Sequence, residues 1–426
     1  MEIEKLYQLY LKHPNISTDT RKIEEGMLFF ALKGGNFNGN KFALQALEKG
    51  AAYAIIDEEA YATDKRMILV EDVLTTLQQL AHHHRTQFDI PFIAVTGSNG
   101  KTTTKELLHR VLAKKYRTHA TKGNFNNHIG VPLTLLEMPL DTEMALVEMG
   151  DNHVGEVTEL CKIAEPTHGF ITNIGKDHIE GFGSFEANVR AKSEIFDYLI
   201  KNDGIVFVNS QDRIIANMAK RFKAPVWYGG EYDFANLELL GASPFIRYKD
   251  RQDREVQTKT IGSYNFQNML TAFCIGKYFE VPVEEIHDAI ANYAADNNRS
   301  QLIEKGTNLI ILDAYNANPS SVEVAMENLE QFDTEKQKVV ILGDMRELGD
   351  ISQDEHHKMV EMAESKNFVL SFFVGEEFFK QKDNPGAFYK EKEELHKHLQ
   401  DNPIQNALIL VKGSRGIGLE TVLELL

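Results

Sequence analysis

The chain has 426 residues, 42% of them hydrophobic and 26% charged, a balance typical of globular proteins that excludes a disordered or fibrous polymer. That length exceeds what one hydrophobic core organises, so about two to three domains are expected. A formal net charge of -17 argues against a broad nucleic-acid footprint, and any polyphosphate ligand must be met locally by lysines, backbone amides and metal ions.

Residues 1–87 form the first segment, a small α/β module. Its apolar pieces MLFFAL, from Met27, and AAYAII, from Ala51, flank a helical pattern over Lys41 to Lys49. The opening MEIEKLYQLYLKHP lacks the apolar run of a secretory signal, and no later stretch approaches membrane-spanning length, so a cytoplasmic protein without membrane insertion is expected. Next comes LTTLQQLAHHHRTQF, with Leu74, Leu77, Leu80 and Ala81 on one helical face. Three consecutive histidines, His82, His83 and His84, point in different directions on a helix and cannot jointly hold one ion; solvated surface is expected there.

Residues 88–297 repeat strand and helix: PFIAVTG, EMALVEMG and THGFITNIG are each followed by helical pattern, which implies a largely parallel sheet. Residues 298–426 do the same with TNLIILDAY, KVVILGDM, FVLSFFVG and NALILVKGS, a second doubly wound unit. Cys161 and Cys274 are too few and too far apart for a disulfide framework, fit a reducing compartment, and are expected as small core residues.

The strongest chemical signal is Val95-Thr96-Gly97-Ser98-Asn99-Gly100-Lys101-Thr102-Thr103, set between an apolar strand and the helix TTKELLHRVLAKKY. Glycines let the backbone curl so that amides face phosphate oxygens, the helix terminus adds its positive end, and Lys101 brings a mobile charge. Thr102 is placed to hold magnesium through its hydroxyl. Val95 stands where the first glycine of the longer phosphate loop would be, leaving the short form G-x-x-G-K-T. Glu148 ends the strand ALVEMG at the carboxyl edge of the sheet, where it can complete a magnesium site with Thr102 or simply face solvent. Asp313 also ends a strand, where its carboxylate suits hydroxyls or caps a helix; Asn126 and Asn127 are either substrate amides or caps.

Taken in order, TGSNGKTT, TKGNFNNHIGVPLTLL, EMG, TNIGKDHIEGFGS and AKSEIF resemble the Mur ligase family. STDTRKIEEGMLFFALKGGNFNGNKF in the first segment and DAYNANPSS, LGDMRELG and VKGSRG in the third extend the resemblance over essentially the whole chain. It implies an α/β fold of three domains: an N-terminal domain binding a UDP substrate, a central ATP-binding phosphate-loop domain with a parallel sheet, and a C-terminal Rossmann-like domain. NFNN with IGVPLTLL, YNANPSS and GDMRELG point within the family to the branch that joins D-alanyl-D-alanine to a UDP-linked muramoyl tripeptide in peptidoglycan precursor synthesis.

The resemblance further implies ATP bound by Gly97, Ser98, Asn99, Gly100, Lys101, Thr102 and Thr103, with Asn268 at adenine, Arg299 at phosphate and Asp313 at ribose. It implies two magnesium sites, the first at Thr102 and Glu148 and the second at His178 and a carbamylated Lys192; Lys101, Lys192 and His178 are the implied catalytic residues. From the residues alone Lys192, in the amphipathic helix VRAKSEIFDYL, would be a surface lysine. Ser17, Thr18, Asp19 and Arg21, with Asn126 and Asn127, are implied for the UDP substrate, and Asn316, Ala317 and Asn318 for the dipeptide; a monomer is expected. Two departures from the family pattern are Tyr264, where histidine is common, and Asn38-Gly39-Asn40, where Asp-Gly-His is usual. The competing readings are a sibling ligase adding a diamino acid, a folylpolyglutamate-type ligase, and a nucleotide-switch module without ligase chemistry. YNANPSS and the lack of an Asp-Asn-Pro-Arg motif argue against the first two.

Overall fold

The computed structural model describes residues 2–295, 298–366 and 368–426. The first sheet is parallel and runs Ile16–Ser17, Leu28–Phe30, Tyr53–Ile56, Met67–Leu69. Its middle strands are buried, as two-faced burial of a parallel sheet requires.

The central sheet is six-stranded and parallel, in the order Val226–Tyr228, Ile205–Asn209, His168–Ile171, Phe92–Thr96, Met144–Glu148, Thr118–Ala120. Register decides where the site falls. Val95 pairs with Glu148 and Thr96 with Ile171, so the phosphate loop, the end of the EMG strand and the loop after Ile171 leave the sheet side by side. The third sheet runs Gln301–Lys305, Asn308–Asp313, Ala407–Lys412, Gln337–Gly343, Leu370–Val374, Ala387–Tyr389, parallel except for the first hairpin. Helices such as Pro319–Gln331 and Ser352–Ser365 cover one face, and Lys392–Asp401 covers the other.

Along the chain between strand Val226–Tyr228 and helix Asn265–Tyr278 comes an antiparallel sheet of Glu238–Gly241, Arg247–Lys249 and Glu255–Gln257, which the sequence does not announce. These strands are three or four residues long and mostly charged on the exposed face, so no apolar run announces them.

Helix Val73–Arg85 buries Leu77, Leu80 and Ala81 as the spacing predicts. The expectation for the three histidines is corrected: His84 is fully buried, its ring between the Tyr7 hydroxyl at 3.1 Å and the Met138 carbonyl at 3.0 Å. The helix lies between helix Ile3–Tyr10 and the central segment, so the His84 face of its last turn has no solvent side, whereas the His82 side chain stays 41% exposed beside Glu165 and His83 is half-buried. Arg85 fastens it there, donating to the carbonyls of Ala164 and Glu165 at 2.8 Å while its guanidinium rests on the Phe92 ring. One apolar core therefore runs from Leu6 and Tyr10 through Leu80 to Val147 and Ile195. Both cysteines are free and buried, as expected. No helix among the described residues is long and apolar enough to cross a membrane.

Candidate active site

Strand Phe92–Thr96 delivers a loop whose turns need glycine. Gly97 has φ +140° and a Cβ there would lie 2.1 Å from the Thr172 hydroxyl; Gly100 has φ +81° and its Cβ would lie 2.6 Å from Asn268 Oδ1. The loop is pinned from the neighbouring strand end: Ser98 N donates to the Asn173 carbonyl at 3.0 Å and Asn99 N to Asn173 Oδ1 at 3.0 Å. Lys101 opens helix Lys101–Leu112, its ammonium on the Gly97 carbonyl within the loop.

Three buried carboxylates gather at these strand ends with three lysines. Glu148 Oε1 accepts from Thr102 Oγ1 at 3.1 Å and Asn126 Nδ2 at 2.9 Å, while Oε2 faces Lys105 Nζ at 3.1 Å. Asp151 Oδ1 pairs with Lys192 Nζ at 2.7 Å, and Asp177 Oδ2 lies 3.4 Å from the same ammonium. Asp177 Oδ1 also takes hydrogen bonds from the Ser98 hydroxyl and from Asn188 Nδ2. Burial works to raise the Asp177 carboxyl, but Lys192, Lys101 and these donors outweigh it and hold the group below the usual carboxylate range. Burial pushes the Lys101 ammonium below the ordinary lysine value, Lys192 adds to this, and Asp177, Asp151 and Glu148 oppose it.

Lys192 is therefore not a surface lysine. Its side chain is 0% exposed, on the inner face of helix Phe185–Lys201 beneath Asp151 and Asp177. The amphipathic pattern was visible, but it does not say which side of the stripe a lysine takes when carboxylates await it. His178, at φ +49°, caps helix Ile179–Phe182 and turns Nδ1 to the Glu347 carboxylate of the C-terminal segment. The His178 contact, burial working against it, holds Glu347 below its ordinary value.

Donor chemistry can be tested against magnesium. Thr102 Oγ1 and Glu148 Oε1 are 3.1 Å apart, close to the edge of an octahedron with metal–oxygen bonds of about 2.0–2.1 Å, so this pair fits one ion. Asp151 Oδ2 and Asp177 Oδ2 are buried and accept no hydrogen bond, oxygens suited to a hard cation if Lys192 were converted to an anion. Among the described residues no three of His, Cys, Asp or Glu converge as a complete set, so further ligands would come from substrate and water.

The remaining implied ATP residues surround the loop. Asn268 is 7% exposed and spends its amide on Thr104 and Asn265, at 3.0 and 2.9 Å, beside Gly100. Arg299 stacks its guanidinium on Tyr315 at 3.7 Å with Nε buried and unpaired. Asp313 meets Lys412 across the sheet and accepts from Ser300 N at 3.2 Å; it caps no helix. Tyr264, in place of the common histidine, donates to or accepts from Ser300 Oγ at 2.6 Å.

Asn318 caps helix Pro319–Gln331 and reaches Asn99 of the phosphate loop at 2.9 Å; Ala317 is core, and Asn316 Oδ1 accepts from Ala317 N. Asn127 Oδ1 accepts from the amides of Ile129 and Gly130 at 3.1 and 2.9 Å, in the turn that leads into helix Gly130–Leu136.

One cavity of about 1290 Å³ joins these parts. It is lined by Leu74, Gln78 and His82 from the first segment, the phosphate loop, Asn126 and Asn127, and Arg299, Asp313 and Asn318 from the third. Ser17, Thr18, Asp19 and Arg21 are not in its wall. Arg21 is engaged bidentately by Asp19, at 2.9 and 2.8 Å. Lys105, Asp151, Asp177 and Lys412 were missed by sequence reasoning. Asp151 and Asp177 flank the EMG and His178 motifs and were open to the same edge-of-strand argument; Lys105 reads as ordinary helix surface.

Compared with known proteins, the chain matches the Mur ligase family, catalytic domain, over residues 13–85, the Mur ligase middle domain over 95–276, and the Mur ligase, glutamate ligase domain over 298–415. A UDP-N-acetylmuramoyl-tripeptide--D-alanyl-D-alanine ligase from Bacillus subtilis is 36% identical, over 96% of this chain and 92% of that one. A crystal structure of MurF from Acinetobacter baumannii superposes with a TM-score of 0.86 at 30% identity, covering 98% and 97%. MurF from Thermotoga maritima in complex with ADP gives 0.85 at 26%, covering 97% of each chain. With the short phosphate loop, the strand-end carboxylates and this likeness along its length, the chain belongs to the Mur ligase family, in its D-alanyl-D-alanine-adding branch.

Proposed function

We propose that the chain is an ATP-dependent ligase that joins D-alanyl-D-alanine to a UDP-N-acetylmuramoyl tripeptide, and that segments 1–87, 88–297 and 298–426 divide the work as UDP-substrate, ATP and C-terminal nucleotide-and-dipeptide domains. The observation that carries the reading is the single cavity shared by all three segments around the phosphate loop. At about 1290 Å³ it exceeds the usual site for one small ligand, roughly 300–1,000 Å³, and suits two substrates meeting at a γ-phosphate.

The tripeptide's terminal carboxylate attacks the γ-phosphorus, the bond to the β-phosphate oxygen breaks, and ADP leaves an acyl phosphate. The dipeptide amine then adds to the acyl carbon, loses a proton, and expels inorganic phosphate. Phosphoryl transfer between two anions demands charge neutralisation and alignment more than a protein nucleophile. Lys101 supplies a mobile positive charge from inside the loop, and the amides of Gly100, Lys101 and Thr102 are placed at a helix N-terminus to bind phosphate oxygens. Asp177 fixes Ser98, and Asn173 fixes Ser98 and Asn99, so the cradle is set before substrate arrives. Magnesium, held at Thr102 and Glu148 and, with a carbamylated Lys192, near His178, would neutralise phosphate charge.

Closure across the cavity excludes water from the acyl phosphate: Asn318 reaches Asn99, and the Lys176 amide donates to Ser320 Oγ at 3.3 Å. A phosphate-release assay with ATP, UDP-muramoyl tripeptide and a panel of dipeptides tests the reading. Release that requires both the tripeptide and D-alanyl-D-alanine is expected; release independent of either would favour a nucleotide switch and overturn it.

A further inference from the structure

Helix Lys101–Leu112 brings two side chains to one carboxylate. Thr102 and Lys105, three residues apart, share a helix face and divide Glu148 between them: Thr102 Oγ1 donates to Oε1 at 3.1 Å, and Lys105 Nζ lies 3.1 Å from Oε2. The Lys105 side chain is 3% exposed, and its ammonium serves a second partner. It donates to the Gly123 carbonyl at 3.0 Å, in the segment that follows strand Thr118–Ala120 and carries Asn126 and Asn127.

Residues 122–125 are exposed, so this segment takes its shape from its ends and from the helix behind it. At one end the Thr121 amide donates to the Leu146 carbonyl at 3.0 Å, and its hydroxyl accepts Glu148 N at 3.0 Å. At the other, Asn126 Nδ2 donates to Glu148 Oε1 at 2.9 Å and the Asn126 carbonyl accepts Gly150 N at 2.8 Å. Between these ends, among the described residues, two lysines tie the tip to the rest of the domain: Lys105 at Gly123, and Lys122, paired with Glu137 at 2.8 Å. The Lys122 pair is largely in solvent and worth little. Lys105 is desolvated, and a hydrogen bond from a charged donor in that setting is among the strong ones. Lys105 is not in the wall of the large cavity, whereas Glu148, Asn124, Asn126 and Asn127 are. Its effect on a ligand there must pass through them.

We propose that Lys105 is a positioning residue for the acceptor substrate: by joining the Gly123 carbonyl to the Glu148 carboxylate, it holds residues 122–127 in the shape that presents Asn126 and Asn127 to the UDP-linked tripeptide. The inference rests on the ligase reading above and on the place of those two asparagines in it. Ordering an exposed segment costs conformational entropy, and a segment ordered before the ligand arrives does not subtract that cost from binding. A cation is needed at this position because the same atom must offset a buried carboxylate and satisfy a carbonyl.

The test is calorimetric binding of the UDP-tripeptide to full-length chains, with ADP and magnesium present and no dipeptide. Lys105→Met should weaken binding by about ten- to a hundredfold, the loss of one charge-assisted hydrogen bond, and Lys105→Arg should recover part of it. Lys105→Met combined with Glu148→Gln strands no charge and keeps the test open if the single variant is too unstable. Its reference is Glu148→Gln, which lacks the same carboxylate but retains the Lys105 bond to Gly123 and an oxygen for Asn126. Against that reference the double variant should show the same loss of UDP-tripeptide affinity, with ADP affinity within about twofold, a change too small to reflect a lost contact. Hydrogen exchange should quicken at amides 122–127 and stay unchanged in helix Lys101–Leu112, whereas a merely structural role would quicken both. UDP-tripeptide affinity equal to that of the reference, or an equal loss of tripeptide and ADP affinity, overturns the positioning role while the ligase reading stands. A parent chain that does not bind the UDP-tripeptide overturns both.

Discussion

Lys192→Ala separates two accounts of a lysine that sequence patterning puts on the surface. A solvated helix lysine would cost no more than about 0.5 kcal/mol on removal. Here the ammonium is 0% exposed and sits 2.7 Å from Asp151 and 3.4 Å from Asp177, both nearly as buried. Removing one partner of such a pair strands the other and costs about 3–5 kcal/mol, a drop of roughly 6–20 °C in the melting temperature of a unit this size. The ion-pair part is separable, because Asp151→Asn combined with Lys192→Met removes the 2.7 Å pair together and leaves Asp177 to Lys101, Ser98 and Asn188, so it should recover more than half of the loss. Turnover should not recover, since the carbamate reading requires an oxygen-bearing adduct on this nitrogen. Acetate should partly restore turnover in Lys192→Ala by filling the vacated space with a carboxylate, and stripping carbon dioxide from the buffer should slow the parent chain. Thermal melts and phosphate release read the two effects independently. Stability within about 0.5 kcal/mol and normal turnover in Lys192→Ala would refute both roles; normal turnover with a large melting shift would leave the ion pair and remove the carbamate.

Lys101→Ala should cut turnover by more than about a hundredfold with little change in melting, because its ammonium bonds only loop carbonyls; residual phosphate release above about 1% of the parent would sink the assignment. Lys105→Met should cost about 3–5 kcal/mol by urea unfolding, since it leaves Glu148 buried beside no cation, and adding Glu148→Gln should return most of it; a loss under about 1 kcal/mol would contradict the buried pair. His287 is buried between the Tyr248 hydroxyl and Asp250, and burial lowers its pKa even though Asp250 pulls the other way. A depressed folded value means its contribution is complete above the ordinary histidine range and is lost as pH falls through the lowered value. Asp250, held below its usual value by amides and His287 against burial, extends the same loss further down. His287→Gln should therefore flatten the melting-temperature slope between about pH 7 and 5, and an unchanged slope would rule the group out.

The phosphate loop was legible because its chemistry is local: glycine, lysine and threonine positions follow from strand-turn-helix geometry, and the backbone meets them with φ +140° at Gly97 and +81° at Gly100. Glu148 was legible for a similar reason, as a carboxylate on the last residue of an apolar strand. Lys105 and Lys192 were not, because each sits at a helix position whose burial depends on a carboxylate contributed by a distant part of the chain. His84 escaped for the same cause, since its face is covered by helix Ile3–Tyr10 and the Met138 carbonyl. The short antiparallel strands near Tyr248 carry too little period to be read.

A chain with net charge -17 nonetheless builds a centre for phosphate by placing lysines where they count. Glu148, Asp151 and Asp177 are matched by Lys105, Lys192 and Lys101, so the cluster is close to neutral before any substrate enters. Lys105 and Lys192 lie behind the carboxylates rather than in the cavity wall, whereas Lys101 lines it. On the proposed reaction, neutralisation of an incoming γ-phosphate would then fall to Lys101, the loop amides and magnesium held at Thr102 and Glu148, as phosphoryl transfer limited by charge and alignment requires. The links that close the C-terminal segment over this centre are polar: Asn99 with Asn318, Lys176 with Glu355 at 3.1 Å, and His178 with Glu347. Polar links of this kind, with Lys176 half exposed, are worth little individually and exchange readily with water. A cavity closed by them can open to admit ATP and the UDP substrate and shut around an acyl phosphate at the cost of these polar links and of the apolar contact that Ile261 and Phe245 make with the C-terminal core, which is the mechanical requirement of a ligase whose intermediate must be kept from hydrolysis.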